Sequence, residues 1–182
     1  MPASLNPVRI ARSMVASLRR RRETAARRRY TSLARRTVAQ CGPGLHVNGP
    51  CRLTRNTYLG SNVNMNGLEI NGPGKVQIGS NFHSGPGCLL ITQNHNYDNG
   101  EAIPYDTTAI VKEITIADNV WLGTRVIVLA GVTINEGAII QAGSVVVSDV
   151  PRCAIAGGHP AHVFSHRDIE HYERLVAEGK FC

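Results

Sequence analysis

Residues 116–146 read IADNVWLGTRVIVLAGVTINEGAIIQAGSVV, and in this stretch a large aliphatic residue recurs at every sixth position. Four residues after each of the first five comes a small or β-branched residue. An α-helix repeats every 3.6 residues and an amphipathic strand every two, so neither explains this period. Short faces that turn every six residues, three to a coil, form a parallel β-helix whose aliphatic residues stack inside. The large positions are Ile116, Leu122, Val128, Ile134, Ile140 and Val146, and the small positions are Val120, Val126, Val132, Ala138 and Ser144.

Two shorter series with the same spacing precede this stretch, and a long interruption follows them. Residues 93–113 depart from the repeat with a polar, turn-rich segment. A loop of this length that leaves a regular scaffold is usually functional. We therefore predict a parallel β-helix domain at residues 42–164 with a protruding loop at 93–113. The earlier series are Leu53, Leu59 and Met65, and then Ile78, Ser84 and Leu90.

The chain has 182 residues, which is enough for one domain with a core, and its net charge of +7 is unevenly distributed. Residues 1–40 hold eleven Arg and one Glu, a net charge of +10, whereas residues 41–182 hold nine Lys and Arg against twelve Asp and Glu, a net charge of −3. No apolar run approaches the roughly 20 residues of a membrane-spanning helix. The five cysteines are odd in number and lack CxxC spacing. This pattern favours a reduced, cytoplasmic setting over a disulfide framework or a zinc site.

The basic segment at residues 1–41 is predicted to form a helical arm, because no Pro or Gly occurs between residues 8 and 40. We favour an arm that packs on the end of the solenoid or on a neighbouring subunit. A basic helix with an apolar stripe also suits an anionic membrane surface, which would make the protein peripheral at the inner membrane face. Nucleic-acid binding is the least favoured hypothesis, because nothing downstream resembles a base-reading module. The stripe consists of Ala11, Met14, Val15 and Leu18, followed by Ala26, Tyr30, Leu33 and Ala34.

The hexads end near residues 149–151, and the rest of the chain is predicted to form a turn and a helix. Gly157-Gly158 predicts the turn. Residues 165–182 are predicted to form a short C-terminal helix, because Ser165 and Asp168 are spaced as in a capping box.

Five segments resemble motifs of the hexapeptide-repeat acetyltransferases, in particular the maltose- and galactoside-type sugar O-acetyltransferases and the xenobiotic acetyltransferases. The resemblance covers about residues 50–180. Residues 116–123 resemble the IGxNVWIG signature and residues 137–146 resemble GAxIxAGSVV. Residues 149–151 match DVP and residues 156–161 are similar to AGxPA. Asn94-His95 with Asp98 is similar to the NHxxD loop of these enzymes.

The resemblance implies a left-handed parallel β-helix, a homotrimer, and acetyl-CoA bound in the cleft between two solenoids. Acetyl transfer to a hydroxyl requires a base for the hydroxyl proton and a donor to the carbonyl oxygen that gains charge. His95 matches the catalytic base of the family, and imidazole is a suitable base near neutral pH. Asp98 is predicted to orient the loop or to contact the acceptor, although an Asx turn before Asn99-Gly100 explains it equally well.

The cofactor contacts that the resemblance implies lie on two coils and on the AGxPA turn. Thr124 maps to the position whose backbone N–H holds the oxyanion, and Gly123 would let the pantetheine arm approach closely. The chain departs from the family at His159, where Asn is usual, and at His162, where a basic residue is common. The predicted set is Gly123, Thr124, Ala142, Gly143, Arg152, Gly158 and His159, and further cations for the CoA phosphates are Arg125, Arg167 and Lys180.

Acceptor contacts are predicted at His83, Asp98 and Trp121. For His83 the competing explanation is an outward-facing coil residue, and for Trp121 it is a ring that covers the solenoid edge. Asn64 and Asn66 are interpreted as corner residues.

We therefore predict an acetyl-CoA-dependent O-acetyltransferase that acts on a sugar or glycan hydroxyl. N-acetylation of a nucleotide-linked amino sugar and acetylation of an antibiotic are alternatives. A metal-dependent carbonic anhydrase on the same scaffold is disfavoured, because Thr124 follows Gly123 and no His occurs between Trp121 and Pro151. No metal is therefore expected. A non-enzymatic structural module is the remaining class, and it should not bind coenzyme A.

Overall fold

Three parallel sheets wind into a β-helix of about six turns, which makes up most of the protein. The computed structural model describes the backbone of residues 7–182 and the side chains of residue 12 and residues 15–182. Sheet A consists of β1 (Gln40–Cys41), β3 (Thr57–Leu59), β6 (Val76–Ile78), β11 (Ile114–Ile116) and β14 (Thr133–Ile134). Sheet B consists of β2 (His46–Val47), β4 (Asn64–Met65), β7 (His83–Ser84), β12 (Trp121–Leu122), β15 (Ile139–Ile140), β17 (Ala154–Gly158) and β18 (Ala161–His166). Sheet C consists of β5 (Leu68–Asn71), β8 (Cys88–Ile91), β13 (Ile127–Val128) and β16 (Val145–Val146).

The chain visits the sheets in the order A, B, C, so the solenoid has three edges, which we name AB, BC and CA after the sheets they join. The predicted loop leaves at the CA edge after β8. It contains an antiparallel hairpin of β9 (Gln93–His95) and β10 (Ala109–Val111).

The six-residue period is confirmed as a stack of inward side chains. All six aliphatic positions of residues 116–146 are exposed by 1% or less, and the small positions are buried beside them. Strands of two or three residues cannot hold a sheet together alone. Each coil is therefore stabilised by apolar burial against the coils above and below it.

Ser84 occupies an inward position of sheet B, between Met65 and Leu122 in register. Two residues earlier, where the other coils carry Val63 or Val120, this coil carries the fully buried Phe82. This coil therefore carries its large side chain at the small position and a short one, Ser84, at the large position. Ser84 Oγ has no hydrogen-bond partner among the described residues.

Asparagines form a ladder along the AB edge. Asn62, Asn81 and Asn119 have φ angles of 53°, 56° and 61°, in the left-handed region that Asn tolerates. Asn62 Nδ2 donates to Asn81 Oδ1 at 3.0 Å, and Asn81 Nδ2 donates to Asn119 Oδ1 at 2.9 Å. Each amide therefore links its own turn to the next coil.

Helix α1 (Pro7–Thr37) confirms the predicted arm, and its last turns pack on the first coil. Ala34 is buried in the core, Tyr30 packs against it, and Thr31 Oγ1 accepts a hydrogen bond from Val47 N at 3.0 Å. This packing on the end of the solenoid agrees with the first of the three hypotheses for the arm. Val15 and Leu18 are 65% and 58% exposed, and Ala11 and Met14 lie outside the described side chains. No helix in the described part of the chain is long and apolar enough to cross a bilayer.

The predicted C-terminal helix is confirmed, but it begins later than predicted and the segment before it differs. Gly157 and Gly158 lie in β17, which adds a strand to sheet B beyond the last hexad, and the chain turns at His159-Pro160 into antiparallel β18. Ser165 lies in β18 and therefore caps no helix. Helix α2 (Ile169–Ala177) begins after Asp168, whose side chain accepts from His171 N.

Tyr172 anchors α2 to the AB edge. Its hydroxyl donates to Glu136 Oε1 at 2.8 Å and accepts from Asn119 Nδ2 at 2.9 Å. Burial, together with the hydrogen bond to Glu136, raises the pKa of Tyr172 to about 12. The C-terminal helix thus continues the asparagine ladder.

We expect Ser84→Ala to raise the free energy of unfolding by about 1 kcal/mol, because it removes a buried hydroxyl without a partner. Leu122→Ala, one coil away in the same row, should lower it by about 2–5 kcal/mol because it leaves a cavity. Urea unfolding followed by circular dichroism measures both changes. A Ser84→Ala protein less stable than the parent would show that the hydroxyl stabilises this coil.

Candidate active site

His95 lies on the hairpin that protrudes from the CA edge. It is the last residue of β9 and pairs with Ala109 of β10. Its ring stacks on Tyr105, with 3.8 Å between the ring centroids and 13° between the planes. Neither ring nitrogen of His95 has a hydrogen-bond partner among the described residues. The loop therefore presents an exposed imidazole in a fixed plane.

Asp106, rather than the predicted Asp98, organises this loop. Its carboxylate accepts from Thr108 N at 2.8 Å, from Glu101 N at 3.3 Å and from Asn96 Nδ2 at 3.4 Å. These bonds, with that from Thr108 first, lower the pKa of Asp106. Asp98 is exposed, and within the described residues its side chain makes no hydrogen bond or ion pair, either with His95 or with any other residue. The Asx-turn pattern Asp106-Thr107-Thr108 was a signal in the sequence that could have identified this residue.

His83 and Trp121 face outward from sheet B in adjacent coils, because β7 and β12 pair in register at these two residues. Trp121 is 50% exposed. Asn66 Nδ2 lies 3.3 Å from His83 Nε2 and donates to Ser84 O at 2.7 Å. Asn66 lies in the turn between β4 and β5, as the corner interpretation predicted, whereas Asn64 lies in β4 and pairs with His83 on the outer face of sheet B.

Gly123, Thr124, Ala142 and Gly143 lie together on two successive turns of the BC edge. Gly143 N donates to Thr124 O at 2.8 Å. The backbone N–H of Thr124 has no acceptor among the described residues. A Cβ on Gly123 would lie 2.5 Å from Ala142 N, so this glycine is required for coil stacking independently of any ligand.

The β17–β18 hairpin extends the BC edge and carries Gly158 and His159. Gly158 N donates to Ser144 Oγ at 3.1 Å, which ties the hairpin to the turn that holds Ala142 and Gly143. His159 is exposed at its tip.

The contacts of Arg152 lie at the AB edge, away from the predicted cofactor residues of the BC edge. This arginine forms ion pairs with Glu136 and Glu173, which raise its pKa, and it lies over the Tyr172 ring at the AB edge. Arg167 donates from Nε to Gly137 O at 2.6 Å in the same region. Both guanidinium groups thus hold α2 in place, and a role in phosphate binding stays a prediction.

The predicted catalytic base and most of the predicted cofactor contacts therefore lie on different edges of one chain. His95 belongs to the CA edge, whereas Thr124, Ala142 and Gly158 belong to the BC edge. No hydrogen bond or ion pair of the described residues joins the loop to the BC edge. No group of three or more His, Cys, Asp or Glu residues in the described part could hold a metal ion.

Comparison with known proteins identifies the family to which the chain belongs. The family model for the bacterial transferase hexapeptide (six repeats) matches residues 113–148. The galactoside O-acetyltransferase of Escherichia coli (strain K12) is 32% identical over 152 residues, which are 78% of this chain and 71% of that protein. The chain belongs to the hexapeptide-repeat acetyltransferases.

Two solved structures extend the match to three dimensions. A galactoside acetyltransferase in complex with coenzyme A aligns with a TM-score of 0.67 and 29% identity over 78% of this chain and 71% of that chain. A hexapeptide-repeat-containing acetyltransferase from Vibrio cholerae, complexed with acetyl-CoA, aligns with a TM-score of 0.63 and 29% identity over 75% of this chain and 76% of that chain. The predicted fold class, a left-handed parallel β-helix, and the predicted enzyme class, an acyltransferase, are confirmed.

We expect Asp106→Asn to loosen the loop of this acetyltransferase, because an amide cannot accept all three hydrogen bonds that the carboxylate accepts. Hydrogen exchange of residues 93–113 should become several-fold faster. Hydrogen bonds to the ionised carboxylate lower the pKa of Asp106. Its contribution to the stability of the loop is therefore fully present at pH values above the ordinary pKa range of an Asp carboxyl. The contribution is lost as the pH falls through the lowered value.

Asp98→Asn is the matched control, because it makes the same chemical change on the same loop. It should leave exchange unchanged. Equal acceleration in both variants would contradict the assignment of Asp106 as the residue that orders the loop.

Proposed function

We propose that this acyltransferase transfers the acetyl group of acetyl-CoA to a hydroxyl of a sugar or glycan. The observation that supports this most strongly is the exposed His95 imidazole, held flat on Tyr105 at the end of an ordered loop. The similarity to a galactoside O-acetyltransferase supports a sugar as the acceptor. The structural relatives with bound coenzyme A or acetyl-CoA support acetyl-CoA as the acetyl donor.

In this proposal His95 is the general base. A ring nitrogen without a protein partner is available to accept the proton of an incoming hydroxyl. The stacking on Tyr105 limits the ring to one plane, which reduces the freedom lost when the acceptor binds. Proton transfer by a positioned base contributes about 10²–10⁴-fold to the rate.

The backbone N–H of Thr124 is the proposed donor to the carbonyl oxygen that becomes negatively charged. It is unpaired within the described residues, and the flanking turns hold it rigidly. A fixed donor of this kind stabilises developing charge without reorganisation. The pantetheine arm of acetyl-CoA would follow the BC edge past Ala142 and Gly143 towards the Gly158–His159 turn.

The two groups of residues act together in this proposal only if a second copy of the chain supplies one of them. A loop on the CA edge and a donor on the BC edge meet when copies pack side by side around a three-fold axis. The homotrimer implied by the family resemblance has this geometry, and each of its three clefts would contain one complete site.

The acceptor face is formed in this proposal by His83 and Trp121, with Asp98 on the loop. Trp121 offers an aromatic surface for a sugar ring, and His83 offers hydrogen bonds to its hydroxyls. N-acetylation of an amino sugar and acetylation of an antibiotic use the same base and donor, so an acceptor screen decides among them.

We expect His95→Ala to lower kcat by about 10²–10⁴-fold on whichever acceptor the screen identifies. Release of free coenzyme A from acetyl-CoA, measured with a thiol reagent, gives the rate. His171→Ala is the control, because His171 is an exposed histidine on α2 at the AB edge. Its rate should be unchanged. A His95→Ala protein that retains near-full rate would remove His95 from the mechanism.

Subunit mixing tests the shared site. Ala142→Trp places a large ring on the exposed BC edge and should block the coenzyme path, so that neither this variant nor His95→Ala is active alone. Co-assembled in equal amounts, they should recover about a quarter of the parental rate, because that fraction of interfaces pairs an intact loop with an intact edge. A site contained within one chain would give no recovery.

A further inference from the structure

A basic groove lies between α1 and the first coil of the solenoid. Its volume is about 650 Å³. One face of α1 forms the first wall, because its lining residues are spaced three or four positions apart or are neighbours in sequence. These residues are Thr24, Arg27, Arg28, Thr31 and Arg35. The opposite wall comes from β2 and the residues next to it, including His46 and Asn48.

The groove carries concentrated positive charge without compensating acids. Arg27, Arg28, Arg35 and Arg36 line it, and no Asp or Glu does. The sequence from residue 24 to residue 68 contains seven Arg and no acidic residue. The only acid of the arm, Glu23, pairs with Arg19 outside the groove. Among the described residues, the Arg35 side chain makes one hydrogen bond, from Nη1 to Cys41 Sγ at 3.4 Å, and no ion pair.

The two walls are held in a fixed relation to each other. Thr31, in the middle of the groove face, accepts a hydrogen bond from Val47 N at 3.0 Å, and Ala34 on the same helix is buried in the core. The four guanidinium groups therefore stand on a rigid frame. Guanidinium groups bind carboxylate and phosphate oxygens through paired hydrogen bonds.

The groove continues onto the acceptor face of the site. Asn48 Nδ2, at its edge, donates to Asn64 Oδ1 at 2.8 Å and to Asn66 Oδ1 at 3.1 Å, and Asn66 contacts His83. Successive coils carry His46, Asn64, His83 and Trp121 at the same outward position of sheet B. Three steps of a strand spacing of about 4.8 Å separate His46 from Trp121 by about 14 Å. An extended ligand can therefore contact the arginines and the acceptor face at once.

We propose that the acceptor is an acidic glycan, and that the arginine groove binds its carboxylate or phosphate groups while its reacting sugar lies at His83 and Trp121. This inference rests on the proposed function, because it assigns a charge class to the acceptor of that reaction. The groove is concave and walled by a strand, which suits a chain-like anion better than the flat surface of a bilayer.

The test compares binding of two probes with the same backbone, tetragalacturonate and its fully methyl-esterified, neutral form. Isothermal titration should give at least about 10-fold tighter binding of the charged probe at low ionic strength, because charge-assisted hydrogen bonds are worth this much. The difference should shrink at physiological ionic strength. Equal affinity for both probes would overturn the proposal.

Matched variants locate the effect. Arg35→Gln with Arg36→Gln should weaken binding of tetragalacturonate by about 10-fold and leave the methyl ester unaffected. Arg20→Gln with Arg21→Gln removes the same charge from the exposed part of α1 outside the groove and should change neither affinity. Equal losses in the two double variants would show non-specific attraction to a basic helix and would overturn the proposal.

Binding to lipid vesicles tests the alternative ligand, an anionic membrane surface. Co-sedimentation with phosphatidylserine vesicles should respond equally to the two double variants or be absent. Loss of vesicle binding in the Arg35–Arg36 variant, together with equal affinity for the two glycan probes, would assign the groove to a membrane surface instead.

Acetyl transfer to the two probes distinguishes failure of this inference from failure of the proposed function. Transfer with a lower KM for the charged probe supports both. Equal rates of acetyl transfer to both probes would overturn the proposal that the acceptor is an acidic glycan. They would leave the O-acetyltransferase proposal intact. Charge-selective binding without transfer to any hydroxyl acceptor would contradict the proposed function and, with it, the acceptor role of the groove.

Discussion

The contact of each inward aliphatic side chain with its equivalents in the neighbouring coils is the interaction on which the whole structure depends. Leu122, for example, is in register with Ser84 below and Ile140 above, and all three are fully buried. The strands are too short for backbone hydrogen bonding alone to fix the coils, so apolar stacking sets both the rise of the solenoid and the direction of its edges. Every outward residue inherits its position from this stack.

The three edges consequently serve different purposes. The AB edge is structural: stacked asparagines run along it and end at Tyr172 and Glu136, which hold the C-terminal helix. The BC edge has exposed small residues and a free amide, which suits a narrow flexible cofactor. The CA edge releases the loop with His95. In the proposed function a neighbouring copy of the chain completes the site, and this arrangement of the edges is the reason for proposing a trimer.

The sequence allowed the coil positions to be predicted because a six-residue period has a single structural explanation, and residues 116–146 follow it without a slip. Ser165 was assigned wrongly because a capping-box spacing is a local signal, whereas β18 forms by pairing with β17 across a turn. Asp106 was missed because its three donors come together only when the loop closes. The groove could not be foreseen from the charge of the arm, since it exists only where α1 meets β2.

The way in which the two ends of the solenoid are finished has a consequence for its behaviour in solution. A parallel β-helix exposes unpaired backbone groups at its first and last coils, and such open rims can recruit further strands and grow into fibres. Here α1 lies against the first rim, and the antiparallel strand β18 occupies the last rung of sheet B with its direction reversed. The arm and the hairpin therefore cover part of each open rim, which disfavours the end-to-end addition of another solenoid.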